Sequence, residues 1–588
     1  MVLEEIPEGP QLRHAWNELA LGMERPEVFY THEWAVAVQR AYGDIRKPLL
    51  MLGYEGDSLV GVVAFSREIE RGAKVDFLAG TTGDYCDFLS QPNKRKEFVD
   101  AVLGELETRK IRKVVLTNLP ANSFSVDALA SAARKRRFNV HTRSAYMCAR
   151  VILGSVEQRE ALKQTTTGKK RLRRNLRELE KKGPVCVRHD TDWVEIEPIL
   201  QSFSNAHAAR FLSTGRISNL IQPERRKFLL ELARELSCSG WIAISRLLVG
   251  DIPVAWHYGF RFPGSWFWYQ PTVDSGHEYG DFSPGYCLLA KIVELACDRP
   301  EVDVVDLGLG AEEYKERFAT STLETRYCVL SRSFSGHLQV AARDRVAEIA
   351  KSVPRIESGV RAIISSLDQW SARLHRAGVP GLLRKIARRA RSVVFANDEV
   401  LFFQWTAARR EGRNRRTTLL PLNSDQLGAA AIRYADEPTT IDFLMRSAQR
   451  FRLGQDRGFV LIDANGTPVH FGWVKDFEGF ELAELERTLQ APSKDAVMIF
   501  DCYTPILQRG NGFFGDAIAS LAEQLCAEGK APWIFGAATN RSSLRGIEKS
   551  GFTEGFSLRR KRFLFFRLRE DSIPAFVAKR TTSSPTLQ

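Results

Sequence analysis

Arg509, Gly510, Asn511 and Gly512, continuing into Phe513 and Phe514, are the part of this 588-residue chain whose residue types and spacing most directly imply a chemistry. A strand-like run at 496–502 precedes them and a helix-like run at 516–525 follows, so the glycines fall at a strand-to-helix turn. Glycine allows a ligand to approach the backbone closely. The first turn of the helix adds unpaired N–H groups and a positive dipole end, which together suit an anion such as a pyrophosphate. Asn540 and Ser543, followed by Lys549-Ser550-Gly551-Phe552, stand at the distance that a second strand and helix would require. Another group lies upstream. Ser283-Pro284-Gly285 opens a helix and is a candidate anion site. A strand at 302–306 runs into Leu307-Gly308-Leu309-Gly310 and then Tyr314 and Lys315, which are placed to orient a ligand. His207 and Arg210 sit three residues apart on one helix, so either can face a cleft, His207 as a general base. The alternative for His207 is a hydrogen-bonded helix histidine, and His257, on an apolar strand, reads as a buried one.

The composition sets the frame for these groups. With 44% hydrophobic and 26% charged residues the chain reads as globular, long enough for two to four domains. Its net charge of +13 favours anionic partners: coenzyme phosphates, nucleic acid or an acidic membrane surface. The nine cysteines are scattered singly, with no C-x-x-C pair and no metal-spaced histidines, from which we expect a reducing compartment and no structural metal. The acidic start lacks the apolar core of a signal peptide, and no apolar run approaches the ~18 residues of a bilayer span. A cytoplasmic protein is the expectation.

The elements that must position these residues follow from periodicity. Strands at 48–54 and 59–65 about Glu55-Gly56-Asp57 read as a hairpin, followed by a strand at 75–78, a helix at 96–109 and a strand at 113–116. The plan recurs as helices at 195–211 and 223–236, a hairpin of 241–248 with 252–261, a strand at 266–270, a helix at 286–296 and the strand at 302–306. That repetition suggests an internal duplication. The segment 157–182 carries the densest charge; as a helix it aligns Leu172, Leu176 and Leu179 on one stripe under a solvated basic face, or an electropositive rim for a phosphorylated ligand or nucleic acid. Residues 336–393 read as a basic helical linker, and 570–588, rich in Ser, Thr and Pro, as a disordered tail.

Two resemblances follow from these motifs. The C-terminal unit, 394–569, resembles the GNAT superfamily of acyl-CoA-dependent N-acyltransferases through its hairpin at 459–475, its strand at 496–503, the loop at 507–514 and the stretch 540–552. It departs from them in Phe514, where Gly or Ala usually ends the loop motif, and in Ile547, where many members have a tyrosine that protonates the leaving thiolate. Residues 25–335 resemble the CelD/BcsL-type acyltransferases, related to FemAB-like transferases built from two GNAT-like halves. The resemblance rests on Phe29–Trp34, 84–88 (DYCDF), Asn118-Leu119-Pro120, the basic helix, 207–210 (HAAR), Ser283-Pro284-Gly285 and 306–315. It implies an α/β (α+β) chain of tandem GNAT-like folds, with mixed central sheets flanked by helices: a double-GNAT domain at 1–335, the linker, a C-terminal GNAT domain at 394–569, and the tail. It further implies acyl transfer from acetyl-CoA or another acyl-CoA to an amine or sugar acceptor, with a link in this family to cellulose or other exopolysaccharide production and thus to a polysaccharide precursor. In that frame the cofactor residues are Arg509 to Phe514, Asn540, Ser543, Ser283 and Gly285, the catalytic candidates are His207, Arg210, Tyr314 and Lys315, and no metal is involved. A FemX-like transferase using charged tRNA, and a non-catalytic module binding CoA or an anionic polymer, remain the alternatives.

Overall fold

The computed structural model describes residues 1–68, 74–310, 312–332, 395–406, 417–454, 456–483, 485–563 and 566–570. The expected linker at 336–393 and all but the first residue of the expected tail lie outside them. The chain divides into two compact units, Met1–Phe211 with Ile217–Ile349, and Ala350–Gln588 together with Leu212–Arg216.

The N-terminal unit makes two passes through one plan. The first comprises β1 (Val2–Leu3), α1 (Pro10–Leu21), α2 (His32–Tyr42), β2 (Arg46–Glu55), β3 (Ser58–Glu68), β4 (Lys74–Phe77), β5 (Leu89–Ser90), α3 (Arg95–Thr108), β6 (Lys113–Pro120), α4 (Phe124–Lys135) and β7 (Asn139–Ile152). The second comprises α5 (Val156–Thr167), α6 (Lys170–Glu180), β8 (Val185–Asp190), α7 (Trp193–Ser213), α8 (Pro223–Ser237), β9 (Ile242–Val249), β10 (Ile252–Phe262), β11 (Gly264–Val273), α9 (His277–Gly280), α10 (Pro284–Cys297), β12 (Val302–Asp306), α11 (Glu313–Glu316) and β13 (Ser321–Ser331). In each pass an antiparallel meander ends in a strand that pairs in parallel with the strand after the next helix: β4 with β6, and β11 with β12. Both hairpins that the alternation predicts are present. Strands β9 and β10 are buried along nearly their whole length, so their inner and outer faces are both apolar.

The two passes are not closed on themselves. The sheet order is β1-β2-β3-β4-β6-β13-β7-β12-β11-β10-β9-β8, so β6 pairs with the last strand of the second pass and β12 with the last strand of the first. Strands β7 and β13 lie side by side between them, antiparallel over eleven residue pairs. Each half thus lends its final strand to the other. The helix expected over 157–182 is in fact two, α5 and α6, separated at Gly168-Lys169, with a capping box of Ser155 and Gln158 starting the first. Leu172 and Leu179 are buried as the periodicity requires, and Lys170, Arg171, Arg173, Arg174 and Arg177 face solvent.

The second unit repeats the plan a third time: β14 (Phe395–Trp405), β15 (Thr418–Pro421), α12 (Ser424–Arg433), α13 (Pro438–Leu453), β16 (Arg457–Ile462), β17 (Pro468–Asp476), β18 (Glu481–Leu482), β19 (Arg487–Thr488), β20 (Ala496–Tyr503), α14 (Phe513–Ala527), β21 (Ala531–Ala537), α15 (Arg541–Lys549), β22 (Phe552–Phe563) and β23 (Phe566–Glu570). Its sheet runs β15-β16-β17-β20-β21-β14-β22-β23. Here β14, from before the meander, takes the position between the fifth and last strands of the plan that an exchanged strand takes in each half of the first unit. Trp473 and Phe402 are fully buried on this sheet.

Because β6 and β12 each depend on a strand from the other half, fragments 1–153 and 154–332 expressed separately should show no cooperative thermal unfolding, and mixing them should restore a transition. Independent cooperative melting of either fragment would contradict the exchange.

Candidate functional site

In the N-terminal unit β11 and β12 pair only from Gly264↔Val302 to Phe267↔Asp306 and then separate. The upstream candidates gather on the part of β11 beyond that point. The Tyr314 hydroxyl accepts from Trp268 Nε1 at 3.2 Å, His207 Nε2 meets Gln270 Nε2 at 3.1 Å, and Arg210 Nη1 donates to the Pro271 carbonyl at 3.1 Å. Gln270 Oε1 accepts from Arg225 Nη2 at 3.1 Å, which orients the amide so that its nitrogen faces the imidazole. His207 Nε2 therefore accepts and Nδ1 donates to Ser218 Oγ at 2.7 Å, with Phe211 stacked on the ring. This is the hydrogen-bonded core arrangement, one of the two open from the sequence. His257 is buried as expected, with Nε2 on the Phe267 carbonyl at 3.1 Å and a pKa pushed down to about 3 by burial.

Lys315 is buried; its Nζ donates to the Leu309 carbonyl at 2.7 Å and pairs with Glu312 at 2.7 Å, which ties the 307–312 turn to α11. Ser283, in left-handed backbone, precedes α10, and a Cβ on Gly285 would lie 2.9 Å from Val273, so only glycine lets the first turn sit this close to β11. Cations surround that turn: Arg171 Nη2 lies 3.5 Å from Ser283 Oγ, and Lys169 donates to the Arg317 carbonyl while lying over the Phe318 ring.

A buried cluster here was not legible as one. Asp306 accepts from the Tyr85 hydroxyl at 2.9 and 3.0 Å and from Gly308 N at 2.9 Å, and lies 3.3 Å from Arg150 Nε. Burial first, and then Asp306, push Asp84 up to about 7, so this carboxyl exchanges its proton near neutrality. The one signal in the sequence was the acidic stretch 84–88, whose partner lies more than two hundred residues away.

The second unit holds a further site. Strands β20 and β21 pair in parallel only from Ala496↔Ala531 to Ile499↔Ile534. Just beyond, β20 bulges against β17: Trp473 pairs with Phe500 and Phe471 with Tyr503, so Asp501 and Cys502 together oppose Gly472. Asp501 has φ +46, a strained conformation for a non-glycine residue. Two clefts open there, of about 490 and 670 Å³. They share Cys502, Phe514, Asn540 and Ser543 as walls. The smaller is formed by the glycine loop, where Gly510 and Gly512 have φ +87 and +81 and where a Cβ would meet nothing within 4 Å, so the backbone is open to the cleft. Helix α14 starts after Gly512 without a side-chain cap, leaving its first N–H groups available.

The loop is held from behind. The Glu437 carboxylate accepts from Ile506 N at 2.8 Å and Leu507 N at 3.0 Å, and from the Thr440 hydroxyl. Burial raises its pKa, but these bonds prevail and hold it below the usual glutamate range. Arg509 Nε donates to the Thr504 carbonyl at 3.2 Å, with its guanidinium over Tyr503. The Asn511 amide donates to the Gln508 carbonyl at 3.3 Å. Phe513 packs beside Leu461, Val469 and Ala517, and Phe514 reaches the cleft wall. Asn540 caps α15 by accepting from Ser543 N at 3.3 Å. The loop residues expected from the sequence are thus brought together around one cleft; Glu437, a positioning residue 69 positions upstream of Ile506, was not foreseen.

Residues 167–316 match the family described as an acetyltransferase (GNAT) domain. That match covers about a quarter of the chain. The match spans α6 to α11, the second half of the N-terminal unit. The solved structures that are similar include three matched over more than half of this chain. FemX shares 8% identity over 54% of this chain and 95% of its own, with a TM-score of 0.40. L-PGS from Bacillus licheniformis shares 11% over 58% and 98%, at 0.36. A tandem GNAT protein from the clavulanic acid biosynthesis pathway shares 10% over 56% and 97%, at 0.33. No curated protein matches the sequence. The strand plan that surrounds the matched GNAT domain occurs three times in the chain, with a parallel pair that parts in each. In the third copy Ile547 is buried and sits in the wall of the larger cleft, so that wall carries no ionisable group at this position. Among the described residues there is no cluster of metal-ligating side chains, and no helix is long and apolar enough to cross a membrane.

The loop and the β17 hairpin meet at His470, whose Nδ1 lies 2.8 Å from Thr504 Oγ1 and whose buried Nε2 has no partner. Burial pushes it down to about 3. An unfolded histidine titrates near 6.5, so on acidification the unfolded chain takes a proton that the folded one refuses. Stability present above about 6.5 is lost as pH falls towards 3, by up to about 1.4 kcal/mol per pH unit. His470→Gln should flatten that acid limb in thermal melts of the C-terminal unit; an unchanged limb would show that His470 is not its source.

Proposed function

We propose that this protein is an acyl-CoA-dependent acyltransferase whose working site is the pair of adjoining clefts in the C-terminal unit. The observation that carries this reading is the shared wall of Cys502, Phe514, Asn540 and Ser543, which puts an anion-binding loop and a separate polar cleft on either side of one strand bulge. The exposed backbone at Gly510 and Gly512 and the uncapped start of α14 fit a pyrophosphate. Acyl-CoA, when bound, supplies the activated thioester. Backbone groups freed from the ladder at Asp501-Cys502 polarise its carbonyl, and the Asp501 carboxylate, paired with Arg450 at 2.8 Å, takes the proton that the acceptor sheds. With isoleucine at 547, the departing thiolate draws its proton from water.

Acetyl as the acyl group, and a sugar or amine acceptor in exopolysaccharide synthesis, are the finer readings that the resemblance of residues 25–335 supports. A cytoplasmic location suits nine free cysteines. The domain limits 1–335 and 394–569 belong to the same reading. The N-terminal unit is read as a second transferase, with Ser283 and Gly285 at its anion site, Tyr314 and Arg210 along its cleft, Lys315 holding the adjoining turn, and Asp84 rather than His207 as the base.

Calorimetric titration of acetyl-CoA into the full chain tests the reading. Gly512→Ala should remove one binding equivalent or weaken it at least tenfold, since alanine strains a residue at φ +81; an isotherm identical to wild type would refute the site. Glu437→Ala, which frees the two loop amides, should weaken the same equivalent by about tenfold, as expected for losing charged hydrogen bonds. One observation favours a second donor: the exposed cations of α6 beside α10 suit a polyanion such as a charged tRNA. Steeply salt-dependent tRNA binding would support it.

A further inference from the structure

The larger cleft of the C-terminal unit is charged in a way that an acyl donor does not require. Helix α13 presents Arg446 and Arg450 one turn apart on the same face. Both line the cleft, with Lys475 from the end of β17, and the acidic side chains Asp456, Asp501 and Glu481 face the same space. Three cations and three anions make the cleft neutral overall but strongly bipolar.

These charges do not cancel pairwise. Arg450 is the hub: its Nη1 lies 2.8 Å from Asp501 and its Nε 3.5 Å from Asp456, and its guanidinium packs against the rings of Trp473 and Phe500. Arg446 makes no ion pair or hydrogen bond among the described residues. Asp456 is nine-tenths buried, and its Oδ1 has no hydrogen-bond partner, the Lys475 ammonium standing off at 4.0 Å. A fixed Arg450–Asp501 pair is therefore flanked by a cation and an anion with unspent capacity. An unpaired buried carboxylate oxygen is costly, and a ligand donor that meets it recovers that cost on binding.

On the reading that this unit is an acyltransferase, we propose that its acceptor is a small amine that also carries a carboxylate, an amino acid or an amino-acid-like zwitterion. The ammonium end lies against Asp456 and Asp501, beside the bulge where acyl transfer takes place, and the carboxylate lies on Arg446. A polyamine would bring a second cation against Arg446 and Lys475, and a neutral hexosamine would leave Arg446 unused. In the transfer, the amine nitrogen, after losing a proton to Asp501, forms the amide bond to the acyl carbon. The carbon–sulfur bond breaks, the sulfur keeps the electron pair, and the second proton shed by the nitrogen passes through water to the thiolate, so the products are the N-acyl acid and free CoA thiol.

The test uses the full chain with acetyl-CoA and a panel of free amino acids, their decarboxylated amines, spermidine and glucosamine, and reads thiol release. In parallel, calorimetry of the same compounds into protein saturated with CoA reads acceptor binding without turnover. Carboxylated amines should be the preferred acceptors or ligands. Arg446→Gln should raise their KM at least tenfold with little change in kcat, and this penalty should be absent for the decarboxylated amines. Preference for a decarboxylated amine, spermidine or glucosamine would overturn the proposal while leaving the acyltransferase reading intact. So would acetyl-CoA binding with no carboxylated amine either bound or acylated. Failure of acetyl-CoA itself to bind would instead overturn the acyltransferase reading and this proposal with it.

Discussion

Two parallel strands that stay paired for a few residues and then part are the constraint on which the rest of this structure depends. At β20 and β21 the ladder ends after Ile499↔Ile534, and the backbone beyond it must find other partners or face a ligand. The bulge at Asp501-Cys502 is one response, since it turns β20 away from β21 and frees main-chain groups at the place where the two clefts meet. The glycine loop and the start of α14 complete the site because they follow that strand directly. The same parting of β11 from β12 puts Trp268, Gln270 and Pro271 within reach of Tyr314, His207 and Arg210.

A sheet with a gap in its middle needs closing elsewhere. In all three copies of the plan an antiparallel strand is interposed between the fifth strand and the last. In the N-terminal unit β7 and β13 do this for each other's halves, so that neither half can satisfy its own edge. In the C-terminal unit β14 does it from the N-terminal side, through eleven residue pairs with β22. The exchange also sets the buried charges of the first unit, because Arg150 on β7 of one half reaches Asp306 on β12 of the other. A chain folded as two independent halves would place neither.

The two units use charge differently. In the first, carboxylates are buried deep enough that Asp84 titrates near neutrality, and Lys315 and Arg150 are consumed by holding turns and carboxylates in place. In the second, charge is spread around an open cleft, where Glu437 holds the glycine loop and Arg450 fixes the position of Asp501 at the bulge. The first arrangement fixes geometry; the second leaves capacity for a ligand.

What the sequence determined by itself was local. Alternating apolar residues specified the hairpins, helical spacing buried Leu172 and Leu179, and R-G-N-G announced a loop whose glycines adopt positive φ, because each of these depends on neighbours a few residues away. Tertiary structure alone decided the rest. The exchange of β7 and β13 is a choice of strand partner, which no local pattern encodes. The basic segment splits into α5 and α6 at Lys169, whose backbone leaves the helical region with φ −62 and ψ 119. His207 became a core histidine only because Gln270, held by Arg225, lies 63 residues away in the chain and beside it in space. Glu437 reached the loop from a helix that the motif does not include, and the Arg446, Asp456 and Asp501 cleft brings together a helix, a turn and a bulge that share no sequence signal. Side chains whose roles depend on contacts of long sequence separation are read only after the chain has folded.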